Sequence, residues 1–228
     1  MSGHYKTGNI LVIPDMHIPA EREGFLDFLL GVRKDYKCDE VFSVGDMFDF
    51  HGINFHEKET DYPSFTDEVE IARKHIIPWK KAFRKMKICI GNHDLLIYRK
   101  AKAIGLPDSM IRAWNETFDL PSTWEWNTRF VHNDVLFMHG TGFSGMCPHI
   151  NACKQHRMNV VMGHTHSVCG VEYTASERDL LWGMCVGSGI DDKKVVFNYG
   201  QDTQRKSIIS CGVIVNGGKL PIVIPMEL

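Results

Sequence analysis

Ile10-Leu11-Val12-Ile13-Pro14-Asp15-Met16-His17 is the stretch on which the fold turns. Four apolar residues closed by a proline read as a short buried strand. Asp15 and His17 follow at i and i+2, where an extended chain points both side chains the same way. The pattern recurs four times. Val41–Val44 runs into Gly45-Asp46-Met47-Phe48-Asp49, and Ile88–Ile90 into Gly91-Asn92-His93-Asp94. Val135–Met138 runs into His139-Gly140, and Val160–Met162 into Gly163-His164-Thr165-His166. Between the first runs lie helical patterns. Glu23–Arg33 carries Phe25, Phe28, Leu29 and Val32 on one face, and Phe65–Phe83 carries Val69, Ala72, Ile76 and Trp79 at similar spacing. Strands alternating with helices predict an α/β layered architecture. The last third reads as successive strands, Val168–Tyr173, Leu180–Val186, Lys194–Tyr199, Ser207–Val215 and Leu220–Ile224, which predicts a second sheet packed on the first.

Open α/β sheets bind ligands beyond the carboxyl ends of their strands, so the five polar blocks are expected to converge on one edge. Their chemistry is consistent. Asp46 emerges at a strand tip, where a carboxylate can bridge two cations. Asn92 offers a neutral amide oxygen, and the imidazole of His93 titrates near neutral pH. Asp15, His17, Asp46, Asn92, His139, His164 and His166 form a ligand set of oxygen and imidazole nitrogen without thiolate. That set suits Mn, Fe, Ni or Zn rather than Ca or an all-cysteine structural zinc. Seven ligands exceed what one ion takes while keeping an open position. Two ions roughly 3.5–4 Å apart and sharing Asp46 account for the count.

The ordered blocks Asp15-x-His17, Gly45-Asp46-x-x-Asp49, Gly91-Asn92-His93-Asp94, His139-Gly140 and Gly163-His164-x-His166 resemble the calcineurin-like metallophosphoesterase superfamily. The resemblance implies a four-layer αββα sandwich, with two mixed sheets flanked by helices, and a dinuclear centre in which manganese is the first expectation. It implies that Asp15, His17, Asp46 and His166 hold one metal, and Asp46, Asn92, His139 and His164 the other. His93 would act as general acid, oriented by Asp49, with Asp94 a lesser contributor. Where protein serine/threonine phosphatases of the superfamily carry Arg and Glu, this chain has Phe50 and Asp94. The missing arginine removes a clamp for a phosphomonoester dianion. The expectation is therefore a compact phosphodiesterase acting on a nucleotide or nucleic-acid-type phosphate ester. The alternatives are a phosphomonoesterase and, further off, a non-catalytic scaffold, whose mark would be lost ligands; every position is intact here.

The remaining features set bounds. The 228 residues fit one domain, 1–228, and a net charge of −2 supplies no global basic field for tight, sequence-independent duplex binding. The seven cysteines form no C-x-x-C pair and predict free thiols in a reducing, cytoplasmic setting. No apolar run approaches the ~18 residues of a membrane span. Two inserts, 51–64 and 98–127, are candidates for substrate selection. In the first, His51 and His56 are candidate substrate-binding residues on a lip over the site. In the second, Tyr98–Trp126 reads as helix-spaced aromatics serving a core, among Arg99, Lys100, Lys102 and Arg112. Gly105-Leu106-Pro107 in that stretch resembles small phage-encoded members of the superfamily, which would place the protein in a host cytoplasm. Cys147, His149, Cys153 and His156 have a spacing that suggests an extra zinc, but Pro148–Arg157 reads better as a helix leading into a strand.

Overall fold

Apolar runs in the sequence become two sheets. The computed structural model describes residues 8–55, 63–192 and 206–227; the expected strand Lys194–Tyr199 and the candidate His56 lie outside them. In chain order the elements are β1 (Asn9–Ile13), α1 (Phe25–Asp35), β2 (Cys38–Ser43), α2 (Phe65–Ala82), β3 (Met86–Cys89), α3 (Leu96–Ala103), α4 (Trp114–Thr117) and β4 (Trp124–Asn127). There follow β5 (Arg129–His132), β6 (Val135–Met138), α5 (Pro148–His156), β7 (Asn159–Met162), β8 (Cys169–Ala175), β9 (Leu180–Val186), β10 (Ser210–Val215) and β11 (Leu220–Pro225). One sheet has the order β11-β10-β1-β2-β3-β4 and the other β5-β6-β7-β9-β8. Both are mixed: β1 runs parallel to β2 and antiparallel to β10, and β7 runs parallel to β9, which is antiparallel to β8.

The period of two in β1 explains the layering. Ile10 and Val12 pack between the sheets against residues such as Val135, Phe137 and Met184. Leu11 and Ile13 face the other way, toward Phe25 and Leu29 of α1 and Ile76 and Trp79 of α2. Helix α5 covers the far side of the second sheet through Ile150, Ala152 and Cys153. The result is the αββα sandwich with two mixed sheets that the motifs implied. Between the sheets the rings of Phe42 and Phe137 stack with centroids 4.1 Å apart.

Local chemistry sets the helix ends. Ser64 caps α2 by accepting a hydrogen bond from the Asp67 N–H at 3.2 Å. In α1, Asp27 lies in the first turn and Arg33 and Lys34 in the last, complementing the helix dipole. No helix among the described residues is long and apolar enough to cross a membrane. All seven cysteines are free.

The expected helical spacing of aromatics in Tyr98–Trp126 needs correction. Trp124 and Trp126 lie on β4, which pairs in parallel with β3, so their separation by two is a strand period. Their core role stands: Trp124 is buried, and Trp126 stacks on Trp114 at 4.7 Å. The insert 51–64 opens with a 3₁₀ turn, His51–Ile53, whose first two residues are buried.

Candidate metal centre

All five blocks meet at the strand tips. The two turns after β1 and β2 are zipped together by hydrogen bonds from the Met16 and His17 N–H groups to the Asp46 carbonyl, at 3.0 and 2.9 Å. In the second sheet the Gly163 N–H donates to the His139 carbonyl at 3.1 Å. The backbone here is strained as well as pinned. His17, Asp46 and His164 hold φ of 49°, 47° and 67°, a region non-glycine residues enter at a cost of about 1–2 kcal/mol each.

Three clusters result. Asp15, His17 and His166 form one, Asp46, His139 and His164 the second, and His17, Asp49 and His93 the third. Each of the two principal carboxylates is fixed by a backbone donor from a facing block. Asp46 Oδ1 accepts from the His93 N–H at 2.8 Å, and Asp15 Oδ2 from the His164 N–H at 2.8 Å. Asp46 Oδ2 lies 3.2 Å from His139 Nε2 and 3.6 Å from His17 Nε2, and so stands between the first two clusters. Glycines make this approach feasible. A Cβ at Gly91 would collide with Asp46 Oδ1 and its backbone nitrogen, and one at Gly163 with Asp15 Oδ1.

The imidazoles are oriented from behind. His139 Nδ1 donates to the Val44 carbonyl at 3.0 Å, so Nε2 faces the site. There it lies 2.9 Å from Asn92 Oδ1 and 3.2 Å from His164 Nδ1. His17 Nδ1 donates to Asp49 Oδ1 at 2.8 Å, and His166 Nε2 pairs with Asp15 Oδ2 at 3.1 Å. His93 Nδ1 donates to the Asp49 carbonyl oxygen at 2.6 Å and lies 3.1 Å from its carboxylate, which turns Nε2 the other way.

These residues fit a pair of divalent cations. Ligands at right angles on bonds of about 2.1 Å stand about 3 Å apart, the spacing found around His139 Nε2. The buried Asp15 Oδ1 and His17 Nε2 have no hydrogen-bond partner, the condition of donors arranged for an ion. Electrostatics agree. Burial alone would raise the Asp46 carboxyl, but His139, His93 and His17 hold it well below the usual carboxylate range. Burial also opposes a charged His93, yet Asp49 and Asp46 outweigh it and push its pKa up to about 10.

His51, a candidate for substrate contact, is buried, with Nδ1 3.1 Å from Asn54 Nδ2. Asp94 joins blocks: Oδ1 accepts from the Phe48 N–H at 3.2 Å and Oδ2 from the Gly91 N–H at 2.9 Å. Sequence reading passed over Glu68 on α2, which is buried and accepts the His51 and Gly52 N–H groups at 2.9 and 2.8 Å. An acid amid the helix pattern gave no signal of partners at His51 and Gly52, which precede its helix in the chain. Ser188 and Gly189, whose N–H donates to the Asp15 carbonyl at 2.8 Å, were equally silent.

One family model and several solved structures are similar to the chain. The family model described as calcineurin-like phosphoesterase matches residues 8–192. Among solved structures, a metallophosphoesterase from Sphaerobacter thermophilus is 17% identical, with 96% of this chain and 88% of that chain covered and a TM-score of 0.48. Vacuolar Protein Sorting 29 from Cryptosporidium parvum is 14% identical over 98% and 99%, with a TM-score of 0.46. Yfce, a phosphoesterase from E. coli, is 13% identical over 96% and 100%, with a TM-score of 0.43. None of the curated proteins compared with the chain matches it.

Proposed function

The chain belongs to the calcineurin-like phosphoesterase family, and from that premise we propose that it is a dinuclear metal-dependent phosphodiesterase acting on a nucleotide or nucleic-acid-type ester. The observation that carries the reading is the standing of Asp46 between two imidazole-rich clusters, with His93 on the rim. Asp15, His17, Asp46 and His166 are the proposed ligands of one ion, and Asp46, Asn92, His139 and His164 those of the other. Oxygen and imidazole donors favour manganese, with iron, nickel or zinc as alternatives. Such ions, when bound, supply an activated water at neutral pH and neutralise charge on the phosphoryl oxygens.

The chain's own residues do the rest. Asp49 holds His93 by Nδ1 and thereby aims Nε2 at the departing oxygen, to which it gives a proton. His93 is the proposed catalytic acid and Asp49 its positioning residue. Preference for a diester rests on position 50. Phe50 is buried and lies in an aromatic cluster with Phe48, Phe65 and Phe118, so this position supplies no cation for a phosphomonoester dianion. A nucleotide-like leaving group is favoured by the rim beside α3. There exposed Phe55 carries Arg99 and Lys100 over its ring, 4.9 and 3.9 Å from the centroid, a grouping of aromatic and cationic side chains of the kind that binds nucleotide-like esters.

The test strips the protein of metal, restores Mn²⁺, Ni²⁺, Zn²⁺ or Mg²⁺, and compares bis-p-nitrophenyl phosphate with p-nitrophenyl phosphate. Diester cleavage should exceed monoester cleavage and collapse in Asp46→Asn. Faster monoester cleavage would replace the proposal with a phosphomonoesterase, and silence on both esters with metal bound would refute catalysis.

A further inference from the structure

The chemistry proposed above leaves Glu68 without a task, although it is a buried acid that feels the charges of Asp49 and His93. A buried carboxyl group needs hydrogen-bond donors for its oxygens. Both find one. Oε1 accepts the His51 N–H at 2.9 Å and Oε2 the Gly52 N–H at 2.8 Å. The first turn of α2 can come this close because Gly52 has no side chain. A Cβ there would stand 2.8 Å from Phe65 Cα and 2.9 Å from Glu68 Oε2.

The two amides lie next to a strained joint. Phe50 holds φ 51° and ψ 33°, a left-handed conformation that non-glycine residues keep only under constraint. Packing of its ring against Phe65, with centroids 5.8 Å apart, fixes the side chain. The backbone is pinned on both sides. Before Phe50, the Asp49 carbonyl accepts from His93 Nδ1 at 2.6 Å; after it, the His51 N–H is held by Glu68. Peptide units are planar, so the φ and ψ of Phe50 are the only soft torsions between these two hydrogen bonds. The Asp49 N–H is tied in turn to the Ile18 carbonyl at 3.1 Å. If the His51 and Gly52 amides are released, Phe50 can relax, and the Asp49 carbonyl turns with it.

We infer that Glu68 is a positioning residue: through the His51 and Gly52 amides it holds Phe50 in its left-handed turn, which keeps the Asp49 carbonyl on His93 Nδ1 and Nε2 aimed at the departing oxygen. The inference rests on the reading of His93 as proton donor. Asp49 grips His93 twice, by its carbonyl and by Oδ1 at 3.1 Å. Oδ1 is also engaged by His17 Nδ1 at 2.8 Å, so the carbonyl carries much of the hold. Loosening it weakens the proton donor without abolishing it.

Glu68→Gln tests this in the full-length, zinc-loaded protein at about pH 8, above the value of about 7 to which burial pushes the Glu68 carboxyl. Glutamine keeps the shape and one acceptor oxygen but turns an N–H donor toward the second amide. In wild type the His93 Nδ1 proton, identified by its loss in His93→Ala, should give a downfield NMR resonance. In Glu68→Gln that resonance should move upfield, and the proton should exchange with water at least tenfold faster. Turnover should report the same loosening. Cleavage of a dinucleoside monophosphate, which expels an alkoxide, should fall about tenfold, part of the ~10²–10⁴ that a general acid contributes. Cleavage of bis-p-nitrophenyl phosphate, whose leaving group departs unprotonated, should change less than about threefold. Glu68→Asp, which keeps the charge but withdraws the oxygens from the amides, should reproduce both effects, with circular dichroism checking that each variant is folded. An unchanged His93 resonance would overturn the inference, and so would equal effects on the two esters, the mark of a merely structural residue. A wild type silent on both esters would count against the phosphodiesterase reading instead, and the resonance alone would then decide whether Glu68 holds His93.

Discussion

Gly91→Ala is the sharpest probe of the centre, because it alters no ligand. An added Cβ would sit 2.0 Å from Asp46 Oδ1, 2.4 Å from its backbone nitrogen and 2.7 Å from Cγ, whereas ordinary contact begins at 3.4 Å. The carboxylate and the turn that bears it must therefore retreat by about 1 Å or more, beyond the ~0.5 Å tolerance within which a functional constellation keeps its geometry. Misplacement near 1 Å costs on the order of 10²-fold, so kcat/KM should fall by about 100-fold or more, at least roughly 2.7 kcal/mol. Weaker metal binding should accompany the loss, since Asp46 stands between both clusters. Overpacking should also lower stability by about 1–3 kcal/mol. The assay is metal-titrated hydrolysis of bis-p-nitrophenyl phosphate at a temperature where the variant is folded, checked by circular dichroism. Gly31→Ala is the matched control. Gly31 lies in α1 with nothing within 4 Å of an added Cβ, so the change should stabilise by about 0.5–1 kcal/mol and spare activity. A folded Gly91→Ala enzyme with wild-type turnover and metal affinity would refute the reasoning.

Other outcomes follow from the same structure. His93→Ala should retain its metals and lose ~10²–10⁴ in rate on esters with alkoxide leaving groups, but much less with p-nitrophenolate, which departs unprotonated; equal losses on both would remove the proton-donor role. Glu68 is pushed up to about 7 by burial, partly offset by the amide hydrogen bonds from Gly52 and His51. The folded protein therefore holds a proton that the unfolded chain releases near ~4.5, and stability falls as pH rises through that window. The gap corresponds to roughly 3 kcal/mol, so urea midpoints of wild type should decline relative to Glu68→Gln between about pH 4 and 8; a pH-independent difference would contradict this. Ser64→Ala should cost about 1 kcal/mol through loss of the α2 cap, read as a lower urea midpoint at unchanged slope.

The blocks were legible because each pairs a buried apolar run with polar residues at a strand tip, and both halves of that pattern are local. Ile10–Ile13 and Val160–Met162 declare themselves as strands by composition, and Asp15 meets His164 once the two sheets that carry them stack with these strand tips at one end. What stayed hidden is non-local. Glu68 looks like any exposed acid on an amphipathic helix until the fold brings two amides to it. Cys147 and Glu172, in contact in the fold but 25 positions apart in the chain, have no common motif. Trp124 and Trp126 misled because tryptophans flanking short helices mimic a helical stripe, although Trp-Glu-Trp-Asn alternates as a strand should.

The left-handed backbone at His17, Asp46 and His164 puts folding and function in opposition at the same three positions. Glycine would relieve strain at each, so a library of variants selected only for resistance to heat or protease should enrich Gly there. The same library selected for ester hydrolysis should hold Asp and His fixed. The divergence between the two selections would mark, without any bound metal in view, where this molecule gives up stability to keep a reactive edge.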